Sequence, residues 1–340
     1  MFPFSIIYGF VTQIRNWAFD IGLLKSEKFN VPVIAVGNLN VGGTGKSPLI
    51  ENLIRLLHKN FQTAVLSRGY GRKTQGFLLA DDQSNAAQLG DEPFQFFRKF
   101  EQISVAVDEK RARGIKQLLI LRPDLEVVLL DDAFQHRYVN AGLKILLTSW
   151  NELYTDDLLL PAGNLREGKK GAKRANMIIV TKCPAKLTPG QIKETIMKLK
   201  PEPNQEVFFS TIGYQKTVIG QDAEIALSDL SKYKVLLVTG IANPKPLEDF
   251  LRTSYIDFEH IEFGDHQILQ QSDFDLIAKK YESLPQKLKI ILTTEKDYVR
   301  NFMEVNLPVF YLPINAEFLG EGDKFNHLIK DYVRKNKGDN

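Results

Sequence analysis

Residues 31–57 read VPVIAVGNLNVGGTGKSPLIENLIRLL, and the change of texture along this stretch decides the fold. An apolar strand at 32–37 runs into Asn40-Val41-Gly42-Gly43-Thr44-Gly45-Lys46-Ser47, and a helix is predicted over 48–59, with Pro48 suited to its first turn. Strand, glycine-rich loop and helix in that order are the context of a phosphate-binding P-loop. The glycines let backbone N–H groups curl around phosphate oxygens, and the helix N-terminus adds positive potential. Lys46 would reach the β- and γ-phosphates, and the Ser47 hydroxyl would ligate Mg²⁺. Asn40 stands where the first glycine of GxxxxGK[ST] is usual, so the formal pattern is missed by one position. A plain glycine-rich turn with an exposed lysine is the competing reading. The loop points to a nucleoside triphosphate and is silent about what receives the phosphate.

Working outward, strands are predicted at 63–67, 103–107, 126–130, 143–148 and 176–181, with helices near 110–121 and 188–200. Near-continuous apolar strands separated by helices indicate a parallel sheet covered on both faces. Residues 206–219 look extended and read as a connector. A second alternation follows: strand 234–239, helix 245–253, strand 258–263, helix 271–281, strands 288–293 and 308–314, and a last helix near 322–335. The expected architecture is α/β: a P-loop NTPase-like domain over 31–205, a connector at 206–219, a smaller α/β domain over 220–340, and an amphipathic helical segment at 1–30.

The chain of 340 residues is 44% hydrophobic and 25% charged, which excludes disorder and suggests two domains. Its net charge of +3 excludes a globally basic nucleic-acid binder, so no nucleic-acid partner is expected. A single cysteine, Cys183, leaves no disulfide framework and no Cys-rich zinc site, and a reducing compartment follows. His58, His136, His260, His266 and His327 contain no HExxH spacing.

Residues 1–14 carry no charge, a run too short to span a bilayer, and neither a preceding basic residue nor a small-residue cleavage site suggests a signal peptide. Ile6, Ile7, Phe10, Val11, Ile14, Trp17, Ala18 and Ile21 recur at helical spacing, with Thr12, Gln13, Asn16 and Asp20 opposite. Such a helix either packs on its own domain or lies in a membrane interface.

A P-loop protein needs an acidic residue at the end of a neighbouring strand to hold its metal. The strand at 126–130 ends in Asp131-Asp132, followed by Ala133-Phe134-Gln135-His136-Arg137. Adjacent carboxylates are costly unless a cation or donors compensate them; metal binding is favoured over a turn-capping Asp pair. Arg68, Tyr70, Arg72 and Lys73 follow a strand as a solvated basic loop or as contacts for an anionic substrate. Asp91 and Glu92 open a polar segment before a helix expected from Pro93. Arg166, Lys169, Lys170, Lys173 and Arg174 make a second basic cluster, either solvated or facing anionic lipid.

VGNLNVGGTGKSP, LSRGYGR (66–72), GDEP (90–93), DDAFQHR (131–137), LPAGNLRE (160–167), GIANP (240–244), FGDHQ (263–267) and TEKD (294–297) occur together and in order. This series resembles the tetraacyldisaccharide 4′-kinases, the lipid A 4′-kinases of Gram-negative bacteria, over roughly residues 1–300. The resemblance implies ATP-dependent phosphorylation of the 4′-hydroxyl of a tetraacylated glucosamine disaccharide 1-phosphate, the lipid A precursor. It also implies peripheral or monotopic attachment at the cytoplasmic face of the inner membrane, with the N-terminal helix meeting the anionic membrane surface. By resemblance, Asp91 matches the catalytic base and His266 its partner. An imidazole beside a carboxylate can orient it and tune its proton affinity. The two residues fall in different predicted domains, so a cleft between domains is the expected site. Asp131, Asp132 and Ser47 would act through Mg²⁺, with Glu167 as a further ligand to the metal or a residue supporting one; Arg166 would stabilise charge on the transferring phosphoryl. Glu92, Gln135 and His136 are supporting candidates, and Arg68 and Tyr70 are candidates for the sugar or its 1-phosphate. Gly168 follows Glu167 where the family pattern has proline, and GIANP and TEKD carry no assigned step.

One rival is a regulatory or metal-delivery GTPase. It needs an NKxD-type guanine signature, and the nearest segment, Thr181-Lys182-Cys183-Pro184, lacks the aspartate. The other is a nucleotide-regulated membrane adaptor, which has no need of Asp91, His266 and the Asp pair together.

Overall fold

The computed structural model describes residues 2–285 and 288–337. Two compact units divide the chain: residues through Ile212 together with those from Ala316 onward, and residues Gly213–Asn315. The first unit opens with α1 (Phe2–Asp20), β1 (Val33–Asn38) and α2 (Lys46–Leu57). It continues through β2 (Thr63–Ser67), β3 (Leu78–Leu79), α3 (Ala86–Leu89), α4 (Asp91–Lys99), β4 (Ser104–Val107) and α5 (Arg111–Leu121). Then come β5 (Val127–Leu130), β6 (Leu143–Ser149), β7 (Met177–Thr181), α6 (Pro189–Leu199) and β8 (Glu206–Tyr214).

The second unit carries β9 (Thr217–Ile219), β10 (Glu224–Ala226), β11 (Lys234–Thr239), α7 (Lys245–Thr253), β12 (Phe258–Glu262) and α8 (Gln271–Glu282). After β13 (Lys289–Thr294), a short α9 (Glu295–Asp297) and β14 (Val309–Leu312), the chain returns through β15 (Ile314–Phe318) to α10 (Gly322–Asn336).

The first sheet runs β15-β8-β7-β6-β1-β5-β2-β4-β3. From β8 to β4 its neighbours pair in parallel, with β1 flanked by β5 and β6. Successive side chains of a strand point to opposite faces, so a strand apolar at every position must be covered twice. Ile34 and Val36 of β1 join a core built with Leu49, Ile50, Leu53 and Ile54 of α2; Val33 and Ala35 join Ile115 and Leu118 of α5. The second sheet runs β10-β9-β14-β13-β11-β12, parallel from β14 to β12, with cores on both faces.

The expected boundaries differ from this division in two places. Residues 206–219 predict a connector, but β8 pairs in parallel with β7 as a strand of the first sheet, burying Phe208 and Phe209. The last helix, expected in the second domain, belongs to the first unit: Phe325, Ile329 and Val333 lie one turn apart and are fully buried in the α2 core. The segment at 1–30 also clusters with the first unit rather than standing apart.

The orientation of α1 reverses what helical amphipathicity usually produces. Phe4, Ile6, Ile7, Phe10, Val11 and Trp17 are each more than half exposed. The helix is held instead by polar side chains: Ser5 Oγ donates to the Leu159 carbonyl (2.8 Å), Tyr8 Oη to the Arg166 carbonyl (2.8 Å), and Asn16 Nδ2 to Glu167 Oε2 (2.8 Å). At Gly9 an added Cβ would come 2.7 Å from Leu159 Cδ1, so a larger residue there would displace the end of that leucine. Among the described residues, no helix is long and apolar enough to cross a membrane.

Candidate active site

The carboxyl ends of parallel strands are where open α/β sheets bind ligands, and the candidate residues of the first unit cluster there. β1 delivers Asn38 and the loop 40–47 to the start of α2. Gly42 and Gly45 adopt positive φ (105° and 80°), conformations that side chains resist. Thr181, at the end of β7, donates from Oγ1 to the Thr44 carbonyl at 2.8 Å and braces the loop from behind. The departure at Asn40 has a structural use. Its Nδ2 donates to Asp157 Oδ2 at 2.8 Å, and its backbone bridges Leu165. With Val41 N donating to the Asn164 carbonyl and Arg166 N to the Leu39 carbonyl (both 2.8 Å), the LPAGNLRE segment is zipped onto the phosphate loop.

This zipper delivers Arg166. Its Nη1 meets both oxygens of Asp132, at 3.1 and 2.9 Å, and Lys46 Nζ lies 3.6 Å from Asp132 Oδ1. Asp132 takes this position with φ of 45°, strained for a residue other than glycine. Lys46 Nζ also donates to Asn38 Oδ1 at 3.2 Å. Asn38 is a site residue that sequence reasoning misses, because an asparagine ending a strand carries no distinguishing pattern.

Asp131 is fully buried. Ser67 Oγ donates to its Oδ2 at 3.0 Å, while its Oδ1 has no hydrogen-bond partner among the described residues. Burial first, and then the nearby charges of Glu92 and Asp132, raise its proton affinity well above the usual carboxylate range. Glu92 in turn accepts from Ser47 Oγ at 2.7 Å. A buried carboxylate with an orphaned oxygen, a second carboxylate and a hydroxyl make an oxygen donor set suited to Mg²⁺. Asp131, Glu92 and Ser47 therefore fit a divalent cation. No group of three His, Cys, Asp or Glu side chains at metal-ligand spacing occurs among the described residues, and a hydroxyl would have to complete the set.

Two of the expected metal ligands are engaged by donors of the protein. Glu167 is buried, with Oε1 accepting from Arg174 (2.8 Å) and Oε2 from Asn16, and it anchors α1. Asp132, with its side chain 31% exposed, pairs with Arg166 and Lys46.

Asp91 and Glu92 form the first turn of α4, two residues earlier than the helix expected from Pro93, where the helix dipole favours negative charge. Gly90 precedes them with φ of 90°, and an added Cβ would sit 2.8 Å from the Tyr70 carbonyl. The LSRGYGR and GDEP motifs thus touch backbone to backbone. Arg72 organises this loop: its side chain is 3% exposed and pairs with Glu109 and the Gly76 carbonyl. Exposed Arg68 and Tyr70 line a cavity of about 810 Å³ together with Lys110 and Arg113.

Gln135 Nε2 donates to the Asn38 carbonyl at 2.7 Å, so it steadies the strand end that leads into the phosphate loop. His136 is held neutral, its proton affinity pushed down to about 4 by burial and by Arg111 and Arg15. Arg111 is a second residue that sequence reasoning misses. It is 2% exposed, donates to the Asp108 and Asp131 carbonyls, and burial lowers it to about 10. Within the run Asp108–Arg113 it looks like any solvated cation. Lys182, with φ of 55°, brings its Nζ within 3.8 Å of where a Cβ on Gly43 would be.

His266 belongs to the second unit, just past β12. Arg300 Nη2 reaches its Nδ1 at 2.9 Å, and its backbone N donates to the Gly240 carbonyl at 3.0 Å.

A glycine-rich loop opening a helix, with its lysine and an arginine gathered on one strand-end aspartate and a carboxylate on its serine, defines a P-loop phosphotransferase. The family profile of tetraacyldisaccharide-1-P 4′-kinase matches residues 1–334, and the chain belongs to that family. It is 48% identical to the tetraacyldisaccharide 4′-kinase of Flavobacterium johnsoniae, over 99% of this chain and 97% of the relative. It is 44% identical to that of Bacteroides thetaiotaomicron, over 99% and 93%. Among solved structures it is similar to LpxK from Aquifex aeolicus in complex with ATP, with a TM-score of 0.78, 29% identity and 98% of each chain covered.

Proposed function

We propose that this chain transfers the γ-phosphoryl group of ATP to the 4′-hydroxyl of a tetraacyldisaccharide 1-phosphate, with Asp91 taking the hydroxyl proton and His266 as its partner. The acceptor oxygen forms its bond to the γ-phosphorus as the bond to the β-phosphate oxygen breaks, and the displaced proton passes to the Asp91 carboxylate. A sugar hydroxyl is a weak nucleophile, so a positioned base lowers the barrier. The observation that carries this reading is the Ser47–Glu92 hydrogen bond, which ties the first turn of α4, Asp91 included, to the first turn of the phosphate-loop helix.

Lys46 and Arg166 supply cationic donors for charge developing on the phosphoryl oxygens. Ser47, Asp131 and Glu92 would hold Mg²⁺, which would supply neutralisation of phosphate charge when bound. Arg68 and Tyr70 serve as contacts for the sugar or its 1-phosphate. The outward apolar face of α1 attaches the enzyme peripherally to the anionic cytoplasmic face of the inner membrane, where the acylated substrate resides.

The test is transfer of labelled γ-phosphate from ATP with Mg²⁺ to tetraacyldisaccharide 1-phosphate in detergent micelles. A bisphosphorylated lipid is expected from the wild type, none from Lys46→Ala, and a severe loss of turnover with nucleotide binding retained from Asp91→Asn. Normal turnover in Asp91→Asn would eliminate the proposed base. Nucleotide hydrolysis that GTP supports better than ATP, without lipid product, would favour the GTPase reading.

A further inference from the structure

GIANP and TEKD converge with FGDHQ at the carboxyl ends of β11, β13 and β12. Asp297 of TEKD is 2% exposed; its Oδ2 accepts from the Gly240 backbone N (2.9 Å) and from Thr294 Oγ1 (2.7 Å), and its Oδ1 accepts from Arg300 Nη1 (3.3 Å). The Arg300 side chain is itself only 6% exposed, yet its other arm contacts the outward imidazole of His266. At Gly240 an added Cβ would approach Asp297 Oδ1 to 3.1 Å and the Gly264 carbonyl to 3.3 Å, so a side chain there would press on this junction by a few tenths of an ångström. His266 sits above it with φ of 59°, a conformation that costs energy and persists only where surrounding contacts enforce it.

A guanidinium donates hydrogen bonds and accepts none, so the ring nitrogen facing Arg300 must be the one with the lone pair. We infer that Arg300, anchored by Asp297, is a positioning residue that fixes His266 in the Nε2–H tautomer, so that the imidazole presents a hydrogen-bond donor outward. The only carboxylate recorded against that nitrogen among the described residues, Asp265 Oδ1 at 3.8 Å, lies beyond hydrogen-bond reach. The outward N–H is therefore available to orient an acceptor carboxylate, and the Nδ1 lone pair is not available to receive the hydroxyl proton while the Arg300 contact holds. This inference rests on the reading of His266 as the partner of Asp91, and it assigns TEKD and GIANP the work of aiming that ring.

The experiment is long-range ¹H–¹⁵N correlation of the histidine rings in the full-length protein, with His266 assigned by its loss in His266→Gln, combined with turnover. Wild type is expected to show a protonated Nε2 and a bare Nδ1. Arg300→Lys keeps a cation for Asp297, and Arg300→Met removes it; in both, the tautomers mix. kcat falls about tenfold or more in both, as is common when an orienting partner is removed, with KM for ATP unchanged. An unaltered tautomer in both variants overturns the inference, as does an altered tautomer with wild-type kcat when His266→Gln is slow. Wild-type kcat in His266→Gln refutes the catalytic reading of His266 itself, and the inference falls with it.

Discussion

Removing the Glu51 carboxylate should loosen the coupling between the phosphate loop and the proposed base. Glu51 lies one turn beyond Ser47 on α2 and is 1% exposed. It accepts from Arg55 Nη2 (2.8 Å), Gln95 Nε2 (2.8 Å) and Lys99 Nζ (2.7 Å), and the last two belong to α4. These bonds repeat, deeper in the core, the Ser47–Glu92 link at the helix N-termini. Glu51→Ala removes the carboxylate shared by the half-buried Lys99 and Arg55, whose side chains are 18% and 35% exposed. Losing a buried carboxylate whose partners are part-exposed and solvent-screened costs about 2–3 kcal/mol. At roughly 2–4 °C per kcal/mol for a unit of this size, the thermal midpoint of the first unit should fall by about 4–12 °C. Urea unfolding of Glu51→Ala, Lys99→Met and the double variant measures the coupling. The double variant should be less destabilised than the sum of the single ones, because both single changes delete the same Glu51–Lys99 ion pair. Phosphoryl transfer by Glu51→Ala, measured well below its midpoint, should also drop. A loss of stability under about 1 kcal/mol would refute the reasoning, since the carboxylate would then not be the junction of the two helices.

Two further outcomes are expected. His136 is neutral in the fold, with a proton affinity of about 4 against an ordinary 6.5, so below pH 6.5 the unfolded chain binds more protons than the folded one. Its contribution therefore weakens stability as pH falls from about 6.5 to 4; urea midpoints of wild type should drop more steeply across that window than those of His136→Gln, and equal slopes would contradict a neutral buried ring. Replacing Ile7, Phe10 and Ile14 of α1 with serine should lower binding to anionic phospholipid vesicles about tenfold or more, because these side chains are 47–64% exposed and would lose their burial in the membrane interface. Thermal stability should hardly change, and unaltered vesicle binding would defeat the membrane assignment.

Much of the fold is legible in the residues because a sheet buried on both faces demands unbroken apolar strands. The runs at 33–38, 127–130 and 177–181 advertise themselves in this way, and the phosphate loop follows from one of them. The home of α10 is not legible, because the spacing of Phe325, Ile329 and Val333 specifies a buried stripe without saying which sheet it covers. The role of Glu167 is hidden for a related reason. Beside Arg166 it resembles a ligand, and the residue that claims it, Asn16, lies 151 positions away. Helical periodicity likewise finds the apolar stripe of α1 but cannot show that the polar flank docks inward. That outcome depends on backbone carbonyls at Leu159 and Arg166, which have no sequence signature.

The docking of α1 has a mechanical consequence. Its tethers do not end on inert scaffold: Tyr8 grips the carbonyl of Arg166, Arg15 the carbonyl of Gln135 at 3.0 Å, and Asn16 the carboxylate of Glu167. Arg166 clasps Asp132, and Gln135 holds the end of the strand that feeds the phosphate loop. A load applied to the exposed side of this helix is therefore borne by the same two segments that hold the cationic end of the site, with no compliant linker between them.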